Sequence, residues 1–256
     1  MTAIQGKLLR RYKRFLADIE LNSGEVVVAY CCNTGKLLGV PENATVLLSD
    51  HGDDTKRKLR YTWEWYWDTQ TWVGINTGHA NAMVHDLLLA KKIPGLEAYT
   101  TIQREVKYGK NSRIDFLLEG EKGRYFLEVK SVHFKRGNCA VFPDCPTVRG
   151  QKHLGELALI IDDTAKAPTK AGVLYLVQRD DCDYFELAAD LDPAYANASI
   201  AAKAAGVEMM AVALTLSVGL STATSLVSYI HSIPELGHES KNHKPHYQLA
   251  KVYDRV

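Results

Sequence analysis

Three ionisable residues in the stretch SRIDFLLEGEKGRYFLEVKSV, from Ser112 to Val132, have the types and spacing to do chemistry. Asp115 and Glu128 are carboxylates on two strand-like runs, and Lys130 follows two positions after Glu128. A two-residue turn at Glu121-Lys122, between Gly120 and Gly123, lays Asp115 opposite Glu128 with Cβ atoms about 5 Å apart. Strand parity puts Lys130 on the same face. The other face collects Ile114, Phe116, Leu118, Tyr125, Leu127 and Val129, an apolar set fit for burial. Opposed carboxylates repel each other unless a hard divalent cation sits between them. Mg²⁺ keeps waters for a substrate phosphate, and a neighbouring lysine offsets phosphate charge or positions the attacking water. That is the equipment for hydrolysing a phosphodiester. The same spacing also describes a hairpin with a charged outer face, where Lys130 simply offsets two acids. A turn one residue longer would slip the register and undo the pairing.

The elements that must hold this hairpin follow from pattern. HANAMVHDLLLAKKI reads as a helix stopped by Pro94-Gly95, and YTTIQREVKYG, RIDFLLE and RYFLEVKSV read as strands. TVRGQKHLGELALII and PAYANASIAAKAAG read as helices, each followed by a strand, AGVLYLVQ and VEMMAVALTL. That order predicts an α/β domain with a mixed sheet over residues 79–232. Residues 1–78 read as about five short strands rich in aromatics, which suits a small barrel or a compact sandwich. Residues 233–256 are polar without a clear period and read as a weakly ordered tail.

Composition bounds the function. A hydrophobic fraction of 46% with 24% charged residues belongs to a globular chain with a full core. A net charge of +1 excludes a polycation, yet the charge is uneven. KLLRRYKR (Lys7 to Arg14) and TKRKLR (Thr55 to Arg60) are basic and free of acids, whereas Asp162 to Asp192 carries eight acids and three bases. Arg10, Arg11, Lys13 and Arg14, interleaved with Tyr12 and Phe15, form a candidate phosphate-contacting strand. On that strand Arg11, Lys13 and Phe15 face one way, and Lys56, Arg57 and Lys58 form a second candidate contact. Such contacts bind nucleic acid without sequence preference and with strong salt dependence; the alternative is a solvated face. Trp63, Trp65 and Trp67 share a strand parity that a barrel core explains better than base stacking. Five cysteines without a CxxC pair argue against a disulfide framework and a structural zinc site. The start lacks the apolar core of a signal peptide, and the uncharged run Met209 to Ile230 holds too many Ser and Thr for a bilayer span. These features predict a cytoplasmic protein with no membrane partner. His238, His243 and His246 fit no closed metal site.

The pattern Asp-x12-Glu-Val-Lys, on strands bracketed by helices in this order, resembles the PD-(D/E)XK nuclease superfamily. The blocks RYKRFLADIEL, NTG, TKRKLRYTWE, LEVKSV, FPD and RGQKHLGEL, from about Arg11 to Leu157, are similar to the sugar fermentation stimulation protein A family of DNA-binding proteins. The resemblance implies a two-domain protein, an N-terminal OB-fold-like β-barrel joined to a nuclease-like α/β domain, bound to double-stranded DNA. It implies Asp115 and Glu128 as ligands of Mg²⁺ or Mn²⁺ with the Val129 carbonyl, and Lys130 as the catalytic lysine. It further implies Gln151 near the site. Glu105, on the preceding strand, is either an additional carboxylate or a surface charge beside Lys107. Three functions are compatible with these features: DNA hydrolysis by a Mg²⁺-activated water, regulation of sugar-fermentation genes by DNA binding without cleavage, or general binding of oligonucleotides or RNA.

Overall fold

The structure, a computed structural model, describes residues 2–54, 56–108, 112–162, 168–217, 219–220, 227–228 and 246–253. Its N-terminal sheet comprises β1 (Thr2–Tyr12), β2 (Leu16–Leu21), β3 (Val26–Cys31), β4 (Thr45–Asp50), β5 (Tyr61–Asp68) and β6 (Thr71–Gly74). The strand order is β3-β2-β1-β4-β5-β6, and β3 also pairs parallel with β5, which closes five strands into a barrel with β6 on its outside. Alternation makes the interior: Ala17, Ile19 and Leu21 of β2 face Val27, Ala29 and Cys31 of β3 within one core. The barrel reading therefore holds over the sandwich.

Two local expectations are corrected here. The basic arm is not one strand, because the chain folds back between β1 and β2 at Lys13, Arg14 and Phe15. Lys13 (φ +46°) and Arg14 (φ +66°) both take left-handed backbone, so Arg11, Lys13 and Phe15 share no strand face. Nor do the tryptophans share one core. A register shift between Leu47 and Leu48 sends Trp63 into the barrel and Trp65 into the core of the second domain. Trp67 is 39% exposed, edge-on to Trp72.

The second domain opens with a 3-10 turn (Thr77–His79) and α1 (Ala80–Leu89). β7 (Tyr99–Tyr108), β8 (Ser112–Gly120) and β9 (Gly123–Val132) form an antiparallel meander. β10 (Lys135–Arg136) and β11 (Cys139–Phe142) lead to α2 (Val148–Ile160), β12 (Thr169–Val177), β13 (Tyr184–Leu187), α3 (Pro193–Ala204) and β14 (Glu208–Ser217). Two-residue strands β15 (Gly219–Leu220) and β16 (Val227–Ser228) pair with each other, and β17 (His246–Tyr253) ends the described chain. The main sheet runs β17-β14-β12-β9-β8-β7, with β9, β12 and β14 parallel and both flanks antiparallel. One face packs on α1 and Trp65 of the barrel, the other on α2 and α3.

The expected strands and helices of this domain are present, with α1 ending before Pro94, where Lys91 takes φ +53°. A small sheet β10-β11-β13, which the sequence pattern does not announce, stands beside the main sheet. The expected tail is corrected over residues 246–253, which pair antiparallel with β14 and bury Tyr253, while residues 233–245 and 254–256 lie outside the described residues. His238 and His243 lie outside the described residues. No described helix is long and apolar enough to cross a membrane, and all five cysteines are free thiols.

Candidate active site

The hairpin turns at Glu121-Lys122 with Gly120 opposite Gly123, and the register runs back to Phe116 opposite Leu127. Gly123 is needed there, at φ +94° with the Pro168 backbone against it. Beyond Phe116 the two strands part. Ile114, expected beside Phe116, packs instead on the α2 and α3 side. The freed Val129 N–H donates to Asp115 Oδ2 at 2.7 Å, and Asn81 of α1 donates to Oδ1 at 2.7 Å. Asp115 thus takes its place from where the ladder ends.

Asp115, Glu128, Val129 and Lys130 line one cleft of about 580 Å³ between the domains. Glu105 lines it too, flanked by Arg104 opposite Phe116 and Val106 opposite Ile114, with its own φ at +54°. Gln151 does not line it; its amide donates to both Asp192 oxygens, at 3.1 and 3.4 Å, and so leaves the cleft to another residue of α2. That residue is His153, buried, whose Nδ1 hydrogen-bonds Glu128 Oε1. Arg149 Nε donates to His153 Nε2 at 3.3 Å, which makes Nε2 the acceptor and leaves the ring proton on Nδ1 for Glu128. Lys130 Nζ donates to the same Glu128 oxygen at 2.7 Å.

The electrostatics of the pair are asymmetric. Burial, then the charge of Glu128, pushes Asp115 up to about 6 from its ordinary 3.8, against the Val129 and Asn81 hydrogen bonds. Burial also pushes Glu128 upward, but the His153 hydrogen bond and Lys130 outweigh it and hold this carboxyl below its ordinary value. Glu128 Oε2 is buried and has no hydrogen-bond partner among the described residues. An orphaned carboxylate oxygen is costly unless a cation or water meets it. Among the described residues no group of three or more His, Cys, Asp and Glu side chains is arranged to hold a metal. Asp115 and Glu128, with the Val129 carbonyl that the family resemblance implies, would offer an all-oxygen, incomplete set. It suits an ion that keeps its waters, such as Mg²⁺ or Mn²⁺, and not a thiophilic one.

An Asp whose folded pKa stands above its unfolded value weakens the fold as it ionises. The cost is absent below about pH 4, grows to about pH 6 and persists above, reaching about 3 kcal/mol. Asp115→Asn is accordingly expected to melt higher than wild type at pH 7.5 in chelator and to match it at pH 3.5. Calorimetry at both pH values checks this, and a variant no more stable at pH 7.5 contradicts it.

The roof of the cleft comes from the barrel. Asn33, Thr34 and Gly35 line it, as does Thr77, so both NTG segments face the site. Each is an Asx turn: Asn33 Oδ1 accepts from Gly35 N at 2.8 Å and Asn76 Oδ1 from Gly78 N at 2.9 Å. Leu37 N donates to Asp144 Oδ2 at 2.7 Å, and a Cβ at Gly35 would collide with that carboxylate, so this loop rests on the FPD segment. His133 Nε2 stands 3.4 Å from the same Asp144 oxygen.

The basic residues divide. Arg11 donates to the carbonyls of Arg14 (2.9 Å), Gly35 (2.8 Å) and Asn33 (2.8 Å), so its guanidinium is spent inside the protein and the expectation of a phosphate contact is corrected. Arg10 pairs with Asp18 at 2.7 Å, and Arg57 stands 3.7 Å from Asp54. Lys13, Lys56 and Lys58 are exposed. Arg14 alone of the predicted set lines the cleft, joined by Arg113 and Arg149. Removing three hydrogen bonds from one charged donor predicts that Arg11→Ala lowers stability by about 2–4 kcal/mol. Lys13→Ala should leave stability within about 0.5 kcal/mol. Urea denaturation of both variants checks the contrast, and equal stabilities would contradict it.

Two family models match the chain: "SfsA N-terminal OB domain" over residues 9–75 and "Sugar fermentation stimulation protein RE domain" over residues 78–219. The sugar fermentation stimulation protein homolog of Maricaulis maris is 45% identical over 216 residues, covering 84% of this chain and 90% of its own. That of Synechococcus elongatus is 45% identical over 209 residues, covering 80% and 86%. Among solved structures, that of Pyrococcus furiosus SfsA in complex with Ca²⁺ aligns with a TM-score of 0.74 at 28% identity. It covers 84% of this chain and 90% of that one.

Proposed function

Because the chain belongs to the sugar fermentation stimulation protein (SfsA) family, we propose that it binds DNA and hydrolyses its phosphodiester bonds in the cleft between the two domains. The observation that carries this reading is the carboxylate pair, with Glu128 Oε2 buried and unpartnered among the described residues and Lys130 beside it. The Ca²⁺ complex of the Pyrococcus furiosus relative supports it, since Ca²⁺ and Mg²⁺ both seek oxygen ligands. Asp115 and Glu128, with the Val129 carbonyl, would hold Mg²⁺ or Mn²⁺. A cation there supplies Lewis-acid stabilisation of phosphate charge and acidifies a water.

The chain's own residues do the rest. Asn81 and the Val129 N–H orient Asp115, and His153 fixes Glu128 while leaving Oε2 free. Lys130 can exchange its carboxylate partner for a phosphate oxygen and meet the charge that grows there during hydrolysis. Lys13, Lys56 and Lys58 of the barrel are free to contact duplex phosphates, so duplex binding is largely independent of sequence. Five free thiols and a DNA substrate fit a cytoplasmic site of action. Incubation of supercoiled plasmid with the protein and Mg²⁺ or Mn²⁺ tests the reading. Nicking that chelator abolishes is expected. Retardation on a gel with no cleavage in either ion overturns it and leaves a regulator that binds DNA without cutting.

A further inference from the structure

We infer that the cleft takes a single DNA strand that has left the duplex, threaded beneath the barrel's loop at residues 33–37. This rests on the reading of the cleft as a phosphodiesterase site and names its substrate. The first observation is depth. Glu128 is 4% exposed and the Lys130 side chain 14%, so the reacting phosphate must come down to them. A cleft of about 580 Å³ is of the size that encloses one drug-sized molecule, about 300–1,000 Å³. A duplex, whose major groove alone is about 12 Å wide, does not enter such a space.

The second observation is closure. The Leu37 N–H to Asp144 bond and the tight seat of Gly35 against that carboxylate join the barrel to the second domain along one side. This junction narrows the cleft on that side and leaves less room beside the carboxylates for a paired second strand.

The third observation is a continuing path. A second cavity of about 450 Å³ shares Arg14, Thr34, Gly35, Cys145 and Pro146 with the cleft and adds Arg11 and Lys36. Arg14 thus stands at the boundary of the two cavities, with exposed Lys36 in the second and Arg113 and Arg149 in the first. Cations spaced along a groove match a polynucleotide backbone. Arg14 is also held there at a conformational cost: Lys13 and Arg14 are consecutive left-handed residues, and Arg11 pins the Arg14 carbonyl together with those of Asn33 and Gly35. Strain of this kind persists where the surroundings over-determine it, commonly at a functional site. Arg11 is therefore a positioning residue for both Arg14 and the loop.

Fluorescence anisotropy with a labelled 16-nucleotide strand and a blunt duplex of equal length, both in chelator, tests this without any cleavage. The strand is expected to bind at least tenfold tighter. Arg14→Ala and Lys36→Ala should each weaken strand binding several-fold and lower its salt slope by about 0.7, the value for one lost contact on a single strand. Equal or tighter binding of the duplex overturns the inference, as does unchanged strand affinity in both variants. Failure here is separable from failure of the enzymatic reading: a protein that prefers the strand but cuts nothing loses the enzyme and keeps the strand. One that nicks plasmid while preferring the duplex does the reverse.

Discussion

Asp115→Ala is expected to lower Mg²⁺-dependent DNA cleavage by at least about 10²- to 10³-fold, the scale on which loss of one stabilising group in a reacting site is felt. Glu128→Ala should be as damaging, because it removes the unpartnered oxygen and the acceptor of both Lys130 and His153. Lys130→Ala should spare cation binding while reducing turnover, since the ammonium acts on phosphate charge. The three variants separate chemistry from folding if thermal stability is followed alongside. Asp115→Ala is not expected to unfold the protein, because it removes the burial cost and the repulsion by Glu128 that together raise the Asp115 pKa to about 6. Binding of DNA in chelator should survive in all three. Single-turnover cleavage of labelled DNA reads the effect, and an Asp115→Ala protein that cuts at the wild-type rate contradicts it.

The second large effect concerns the joint between the domains. Arg179 is 1% exposed and grips Asp181 with two bonds, Nε at 2.6 Å and Nη2 at 2.8 Å. It also donates to Asp68 Oδ2 at 2.5 Å and to the His133 carbonyl at 3.0 Å, with Tyr66 Oη at 3.5 Å. Lys135 pairs with Asp181 and stands 3.8 Å from Asp68. Tyr66 and Asp68 belong to β5 of the barrel, whereas His133 and Asp181 belong to the second domain. Neighbouring bonds, Gly74 N to Gln178 O at 3.0 Å and Thr71 Oγ1 to Asp180 at 2.8 Å, extend the seam.

Arg179→Met removes the guanidinium from these two acids and a carbonyl, leaving Lys135 as the remaining cation beside the acids, and it should cost about 3–5 kcal/mol. Arg179→Lys cannot reproduce the fork and should recover little of it. Burial pushes Asp181 up, yet Arg179 and Lys135 outweigh it and hold the carboxyl at about 2. A depressed carboxyl stabilises the fold above its unfolded pKa and loses that contribution as pH falls toward its folded one. The wild type should therefore lose stability between about pH 4 and 2 in a step that Arg179→Met largely lacks. Urea denaturation across that range measures both effects. A variant within about 1 kcal/mol of wild type at neutral pH would contradict the clamp.

What was legible in the sequence was local. Glycines on both sides of Glu121-Lys122 and clean strand parity placed the hairpin turn and its register as far as Phe116 and Leu127. Parity then misplaced Ile114, because the strands separate where Asp115 takes the Val129 N–H, and no alternation records that departure. In α2 the sequence does carry the signal. Gly150, His153, Leu154 and Leu157 fall at positions i, i+3, i+4 and i+7 and are the buried stripe, while Gln151 lies off it against Asp192. Other features were beyond any local reading. Two of the three carbonyl partners of Arg11 lie 22 and 24 residues along the chain, and Trp65 leaves its parity partners through a register shift. The edge strand at residues 246–253 owes its form to pairing with β14, which a polar, weakly periodic segment does not announce.

The central claim is that Asp115 and Glu128 share one divalent cation, and calorimetric titration of Mn²⁺ into the metal-free protein tests it most directly. One ion per chain is predicted for wild type, with no measurable binding to Asp115→Ala or Glu128→Ala. A wild type that takes up no ion, or an Asp115→Ala protein that binds it equally well, would contradict the claim.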